Sequence, residues 1–253
     1  MKTILFYFSA TGNSLTTARA IAAALEDCTL VPVAALKDEP AVPVDADRVG
    51  FVYPVYYSDM PHLVRRVISR MDFTGTPYIF SVCTCRGHDG IVAQRLDALL
   101  QTRGQTLSRH LRVFLPGNSR VSPPEKDAEQ LADQKRATAE MLAQLTEWTV
   151  EDCSPKDELK NSPVHDAANM RGLLAEDNCT GCGTCVRVCP MQNVRLLDGR
   201  AVFGNECTSC LACYHWCPEK AIIMSTGEPE MVRRRQYRHP AVGLADILAQ
   251  KKL

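Results

Sequence analysis

The sequence predicts an α/β protein, a doubly wound parallel sheet followed by a small α+β domain, on three observations. Short apolar runs of strand type alternate with runs of helical period through the first half of the chain. A hydroxyl-rich loop, "SATGNS", separates the first such strand from the first helix. Beyond the alternating half, one cysteine run occurs twice: "CTGCGTCVRVCP" from Cys179 to Pro190 and "CTSCLACYHWCP" from Cys207 to Pro218.

The whole chain sets limits first. At 253 residues and 45% hydrophobic it has enough core material for one large and one small domain and is too apolar to be disordered. Its 29 basic and 29 acidic residues cancel, which gives no reason to expect a nucleic-acid or membrane-surface partner. The apolar part of "MKTILFYFSA" is shorter than a secretion signal requires, and no run approaches the roughly twenty residues of a membrane span. These features predict a cytoplasmic protein without membrane insertion.

The elements follow in order. "KTILFYF" reads as a strand, and "SLTTARAIAAAL" places Leu15, Ala18, Ile21, Ala22 and Leu25 on one helical face. "RVGFVYPV", "TPYIFSVC" and "TLSRHLRVFLP" read as further strands. "PHLVRRVISRM" and "DGIVAQRLDALLQT" are helices between them, since their apolar residues recur three or four apart. Such alternation builds a parallel sheet covered by helices on both faces. "SPPEKDAEQLADQKRATAEMLAQLTEW" opens on a proline pair and continues as a long helix that ends the first domain. The predicted boundaries are residues 1–150 for that domain, 151–170 for a polar linker, 171–226 for the cysteine-rich domain and 227–253 for a basic tail.

The "SATGNS" loop is built as an anion site. A strand, a tight turn and a helix start aim backbone N–H groups and the positive helix end at a ligand, with the Ser9, Thr11 and Ser14 hydroxyls beside them. The loop lacks the lysine of a nucleotide-hydrolysing P-loop and the G-x-G-x-x-G of a dinucleotide fingerprint. Ordinary helix capping is the plain alternative. Ser9, Ala10, Thr11, Gly12, Asn13 and Ser14 resemble the phosphate loop of flavodoxins. That resemblance implies FMN at the carboxyl ends of the strands, near the switch point between the first and third strands of the sheet. Three other strand ends then supply candidates. After the third strand come Pro54, Val55, Tyr56 and Tyr57, either tyrosine being able to lie on a flat apolar ring or to close the rim of the sheet. After the fourth come Thr84, Cys85, Arg86 and Gly87, and after the fifth, Asn118.

The repeated cysteines exclude two readings. A disulfide framework fits poorly, because cysteines three apart on a tight loop aim at a common centre, and a reducing cytosol does not maintain such bonds. A structural zinc site uses two C-x-x-C pairs and leaves the third and fourth cysteines unexplained. The spacing C-x-x-C-x-x-C-x-x-x-C-P is the bacterial iron–sulfur run. Residues from about Arg171 to Ser225 resemble a bacterial two-[4Fe–4S] ferredoxin. In those proteins the last cysteine of each run ligates the other cluster. The resemblance therefore implies Cys179, Cys182, Cys185 and Cys217 on one cluster, and Cys207, Cys210, Cys213 and Cys189 on its neighbour. Cys28, Cys83, Cys85 and Cys153 read as packing residues.

Across nearly its whole length, including "FYFSATGNS", "PVYY" and "QYRHP", the chain resembles the fused flavodoxin/ferredoxin proteins of anaerobic bacteria and archaea. It departs from them in "YYSDMP" and in "PGNS". The resemblance implies electron transfer between FMN and two [4Fe–4S] clusters, with redox proteins as partners. The alternative is a flavin-dependent reductase of a small molecule fed by the clusters. For that reading only His88 and Asp89 offer an acid/base pair, and "HD" in a loop reads more simply as a turn. Arg233, Arg234, Arg235 and Arg238 read as a solvated face or as a guide for an acidic partner. The segment from Arg233 to His239 is expected to pack back near the first domain and hold the two domains together.

Overall fold

The structure, a computed structural model, describes residues 1–118, 123–154, 172–224 and 235–252. Its first half is built on strands β1 (Thr3–Tyr7), β2 (Cys28–Pro32), β3 (Val42–Val44), β4 (Arg48–Pro54), β5 (Met71–Phe73), β6 (Tyr78–Cys85) and β7 (Arg109–Phe114). Five of these form a parallel sheet in the order β2-β1-β4-β6-β7, while β3 and β5 pair separately. Numbered within that sheet the order is 2-1-3-4-5, the flavodoxin-like topology, whose ligand crevice lies where connections leave β1 in opposite directions. Helices α1 (Asn13–Ala24), α2 (His62–Ile68), α3 (Val92–Gln101) and α4 (Pro124–Thr146) connect and cover the strands; α1 packs against α4, and α2 against α3.

Central strands read as nearly continuous apolar runs because both of their faces are covered. In β4 every residue from Val49 to Tyr53 is buried. Gly50 makes room in that layer: a Cβ there would lie 2.2 Å from Leu5 Cδ1 and 2.4 Å from Phe80 Cζ. In α1 the expected Leu15, Ala18 and Ile21 are buried, and Ala22 and Leu25 lie partly exposed at the edge of that face. The first domain's contacts continue past α4. Trp148 packs under the Arg48 guanidinium, 3.6 Å from its ring centre, and against Tyr78, and Glu151 N–H donates to Ser108 O at 2.8 Å.

The cysteine-rich half contains β8 (Leu173–Ala175) paired antiparallel with β11 (Ile222–Met224), and a hairpin of β9 (Val194–Leu197) and β10 (Arg200–Phe203). Asp198 and Gly199 turn that hairpin with φ of 48° and 76°, as a tight two-residue turn between twisted strands requires. Two short helices, α5 (Thr184–Val188) and α6 (Ala212–His215), each begin one residue before the third cysteine of a run and carry it. The chain ends in α7 (Leu244–Ala249), which lies against α5. Of the proposed arginine cluster, Arg233 and Arg234 fall outside the described residues.

Candidate functional site

The carboxyl ends of β1, β4, β6 and β7 are level with one another: Tyr7 pairs with Val52, Pro54 with Thr84, and Cys85 with Phe114. The loops leaving them enclose a cleft of about 420 Å³, within the roughly 300–1,000 Å³ of small-molecule pockets. Of the fifteen residues expected to bind the flavin, every one except Gly12 lines it. Ser58, His88, Leu115, Pro116 and Gly117 line it as well.

Each loop is held by identifiable bonds. In the first, Gly12 adopts φ 109° at the N-cap of α1 and its N–H donates to Ser9 Oγ at 3.1 Å. The opening amides of α1 have no acceptor within the helix, as in any first helical turn, so this end of the cleft presents N–H donors and a positive dipole. The Ser14 hydroxyl, in the first turn of α1, and the Thr84 hydroxyl, at the end of β6, share a hydrogen bond of 2.8 Å. In the loop after β4, the buried Asp59 carboxylate pairs with Arg65 and with Arg95, the latter at 3.1 Å, and accepts Met60 N–H. A backbone bridge from Tyr56 to Asp59 then closes a tight turn in which Tyr57 and Ser58 take φ of 52° and 62°. The two tyrosines thereby separate. Tyr56 is 7% exposed, while Tyr57 is 41% exposed on the cleft rim.

Three expectations change in detail. Gly12 is a glycine because of the tail: a Cβ there would lie 2.7 Å from His239 Cβ and 2.9 Å from Val242 Cβ. The Asn13 side chain is occupied by protein, donating to Pro116 O at 2.8 Å and accepting the Tyr237 hydroxyl at 2.6 Å. Asn118 faces two ways. Its Nδ2 donates to Tyr56 Oη at 3.3 Å and to Cys210 O at 3.0 Å, so it joins the cleft wall to the second cysteine run. Burial first, and then the proximity of Cys210, push the Tyr56 phenol well above its ordinary pKa. Asp89, half of the possible acid/base pair, is engaged with His110 and Arg112.

The two cysteine runs repeat in conformation as well as in sequence. Gly181 and Gly183 have φ of 66° and 73°, and their counterparts Ser209 and Leu211 have 59° and 57°. Gln192 and Lys220, each three residues after a fourth cysteine, have 54° and 52°. A leucine at positive φ is strained by about 1–3 kcal/mol, so the wrapping of the loop overrides local preference. Equivalent N–H groups also reach the fourth sulfurs, Asn193 to Cys189 at 3.3 Å and Ala221 to Cys217 at 3.4 Å.

Cys179, Cys182, Cys185 and Cys217 line one cavity, and no other cysteine does. After burial, the neighbouring Cys207 and Cys189 raise the Cys210 thiol, and Cys210, Cys189, Cys207 and then Cys185 raise that of Cys213. Cys217 of the second run thus shares a cavity with three cysteines of the first, and Cys189 of the first run lies near Cys207, Cys210 and Cys213 of the second. A single tetrahedral zinc would set sulfurs about 3.8 Å apart, from bonds of about 2.3 Å. Among the described residues, no three of these thiols lie within 4.8 Å of one another, which is too wide for a lone ion and leaves room for a larger centre. Burial pushes the Cys185 thiol up to about 11 and raises Cys210 and Cys213 well above the ordinary thiol value, whereas the Thr184 hydroxyl lowers the exposed Cys182. Buried thiolates need a compensating positive charge, which an iron–sulfur centre held by these residues would supply.

The residues between these centres are ones that sequence reasoning missed. His215 is fully buried; its Nδ1 accepts Tyr237 N–H at 3.0 Å, so Nε2 carries the proton and donates to Asn118 O at 2.8 Å. Trp216 Nε1–H donates to Ala10 O at 2.9 Å, inside the hydroxyl-rich loop, and Leu63 N–H donates to Thr208 Oγ1 at 3.0 Å. The tail continues the seam. His239 N–H donates to Thr11 O at 2.7 Å, and Gln250 bonds both backbone groups of Ser9 at 3.0 and 2.9 Å. Arg235 pairs with Asp127, and Arg238 lies over the Trp216 ring at 5.3 Å, so both described arginines of the tail are used within the chain. Their spacing in the sequence carried the charge but not the partner.

Residues 178–222 match the family of 4Fe-4S dicluster domains. No curated protein matches the chain. Among solved structures, similar chains include a flavodoxin from the domain Archaea (14% identity, 58% of this chain and 99% of that one, TM-score 0.32). The Streptococcus pneumonia TIGR4 flavodoxin has 17% identity over 57% and 98% of the two chains, with a TM-score of 0.35. An azoreductase from Bacillus anthracis str. Sterne has 15% identity over 56% and 100%, with a TM-score of 0.38. With the strand order described above, the chain joins a sheet of flavodoxin-like topology to a segment that matches 4Fe-4S dicluster domains. Among the described residues no helix is long and apolar enough to cross a membrane.

Proposed function

We propose that the protein carries electrons between an FMN held in the cleft and two [4Fe–4S] clusters, and from the outer cluster to a redox partner protein. When bound, FMN exchanges one or two electrons and each cluster one, so the fusion adapts pair chemistry to single-electron carriers. The observation that carries the reading is Asn118, whose amide bonds Tyr56 on the cleft wall and the Cys210 carbonyl in the second run. A cluster held by Cys207, Cys210, Cys213 and Cys189 would then neighbour the cleft. The buried state of Cys210 and Cys213 suits that inner station, and the exposed Cys182 suits an outer group of Cys179, Cys182, Cys185 and Cys217 that meets the partner. The chain's own part is placement: the N–H-rich start of α1 receives a phosphate, Tyr57 covers a ring, and the His215–Asn118 and Trp216–Ala10 bonds fix the domains.

The occupation of Asp89 by His110 and Arg112 argues for a carrier over a reductase, since it leaves the loop beside the cleft without an acid/base pair. Anaerobic purification should give about eight iron and eight sulfide per chain with one FMN. Flash reduction of the flavin should pass electrons to the clusters at a rate independent of protein concentration. About four iron per chain, or a second-order transfer in the intact protein, would reject the proposal.

A further inference from the structure

Strands β6 and β7 carry a second cluster of metal-type side chains, separate from the eight repeated cysteines. Ser81 and Cys83 alternate onto one face of β6, and in the parallel register Ser81 stands beside His110 and Cys83 beside Arg112. The loop after β6 returns Asp89 to the same place. Cys83 Sγ, His110 Nε2 and the Asp89 carboxylate lie within 4.8 Å of one another, with Cys83 buried and the other two partly so. Two of the separations are 3.7 Å from sulfur to nitrogen and 3.4 Å from nitrogen to oxygen. A tetrahedral ion with bonds of about 2.3 Å to sulfur and 2.0–2.2 Å to nitrogen and oxygen requires about 3.5 and 3.4 Å between those atoms. The spacing is therefore that of metal ligands.

Neighbouring groups orient the ligands. Ser81 Oγ lies 2.7 Å from His110 Nδ1, and a proton there, donated to the hydroxyl, leaves the Nε2 lone pair facing Cys83 and Asp89. Arg112 Nη1 holds both Asp89 oxygens at 3.2 and 3.1 Å and fixes the carboxylate. A carboxylate has about four acceptor sites, so one remains for a metal with Arg112 in place. We infer that Cys83, His110 and Asp89 form a binding site for a single zinc-class divalent cation, with one coordination position left to water. Sulfur, imidazole and carboxylate together favour such a borderline-soft ion over magnesium or calcium. Binding displaces the Cys83 thiol proton to solvent and leaves thiolate, neutral imidazole and carboxylate on the cation. The site would tie the edge strand β7 and the 86–89 loop to β6, whatever the cleft holds.

The test uses the full chain, purified anaerobically with its clusters and flavin, and zinc alone as the probe. Competition against a chelator should find one zinc per chain, and X-ray absorption at the zinc edge should show about one sulfur at 2.3 Å and three lighter neighbours at 2.0–2.2 Å. Ser81→Ala should weaken binding by about tenfold to a hundredfold, and Cys83→Ser by more, with iron and flavin content unchanged. If Cys83→Ser folds poorly, His110→Gln, at a partly exposed position, decides the matter by the same criterion. A shell of four sulfurs, which would place the zinc among the cluster cysteines, overturns the inference. So does the absence of binding at micromolar free zinc, or binding indifferent to both ligand substitutions.

Discussion

Replacing His215 with Leu tests whether the seam between the domains acts as one unit. Leucine nearly preserves the volume, so the cost is in hydrogen bonding. The buried Tyr237 N–H loses its acceptor, which costs about 1–3 kcal/mol, and the half-exposed Asn118 carbonyl loses a donor that water partly replaces, about 0.5–1.5 kcal/mol. Together the docked state loses about 1.5–4.5 kcal/mol, a shift of about tenfold to two-thousandfold in the docking equilibrium. Amide hydrogen exchange reads this at two distant positions, the His239 N–H bonded to Thr11 and the Leu63 N–H bonded to Thr208. Both should lose protection by a similar factor if the seam opens cooperatively. Loss confined to Tyr237 would refute the reasoning and make His215 a local packing residue.

Three further outcomes follow from the same geometry. Cys217→Ser should damage the centre lined by Cys179, Cys182 and Cys185 while sparing the other; spectroscopy showing the reverse would sink the crossed grouping. Gly12→Val should weaken FMN binding and detach the tail together, since strain at φ 109° costs about 1–3 kcal/mol before the clash with His239 is counted; flavin affinity falling while the His239 amide stays protected would contradict this. Burial lowers the His239 pKa below its ordinary value of about 6.5, with Nδ1 accepting Ala241 N–H and the protonated Nε2 donating to Gln134 Oε1. The folded state thus binds the proton less readily than the unfolded one, and the tail's stability, fully present above pH ~6.5, falls as the pH drops through the depressed value. Proteolysis near Arg238 should quicken from pH 7.5 to 5.5, and less so in His239→Gln; equal quickening in both would remove His239 as the cause.

Legibility followed the length and regularity of each signal. β1, α1, β4 and β6 were readable because apolar runs and helical spacing persist over five or more residues, although β6 continues to Cys85 and takes Thr84 and Cys85 into the strand. The three-residue ladder of Val42–Val44 and Met71–Phe73 is too short to express a period, and β2 at Cys28–Pro32 is a half-exposed edge strand without a continuous apolar run. Cysteine spacing marked the two runs because ligand geometry is local to each loop, whereas the crossed grouping came only from the resemblance, since each fourth member lies on the other run. The role of Asn118 was not readable, since its partners Tyr56 and Cys210 are remote in sequence and a single asparagine in "PGNS" looks like any turn residue. Trp216 and His215 sit inside "CYHWCP" among ligands that drew the attention, and only the fold reveals that they face the other domain.

The clasp of Gln250 on Ser9 also has a consequence for the order in which the molecule is made. The two residues are 241 positions apart, and Tyr237 and Asn13 are 224 apart. A ribosome releases the hydroxyl-rich loop well before its fastening, so the sheet can form while the loop still lacks its last supports. Closing contacts of such separation is slow compared with forming the local strand–helix units. The cysteine runs likewise emerge before residues 235–252, so they too precede the latch in chain order. A fragment ending near residue 150 would keep its sheet and lose the bonds to Ser9, Thr11 and Asn13, so it would be a poor surrogate for the flavin site of the intact protein.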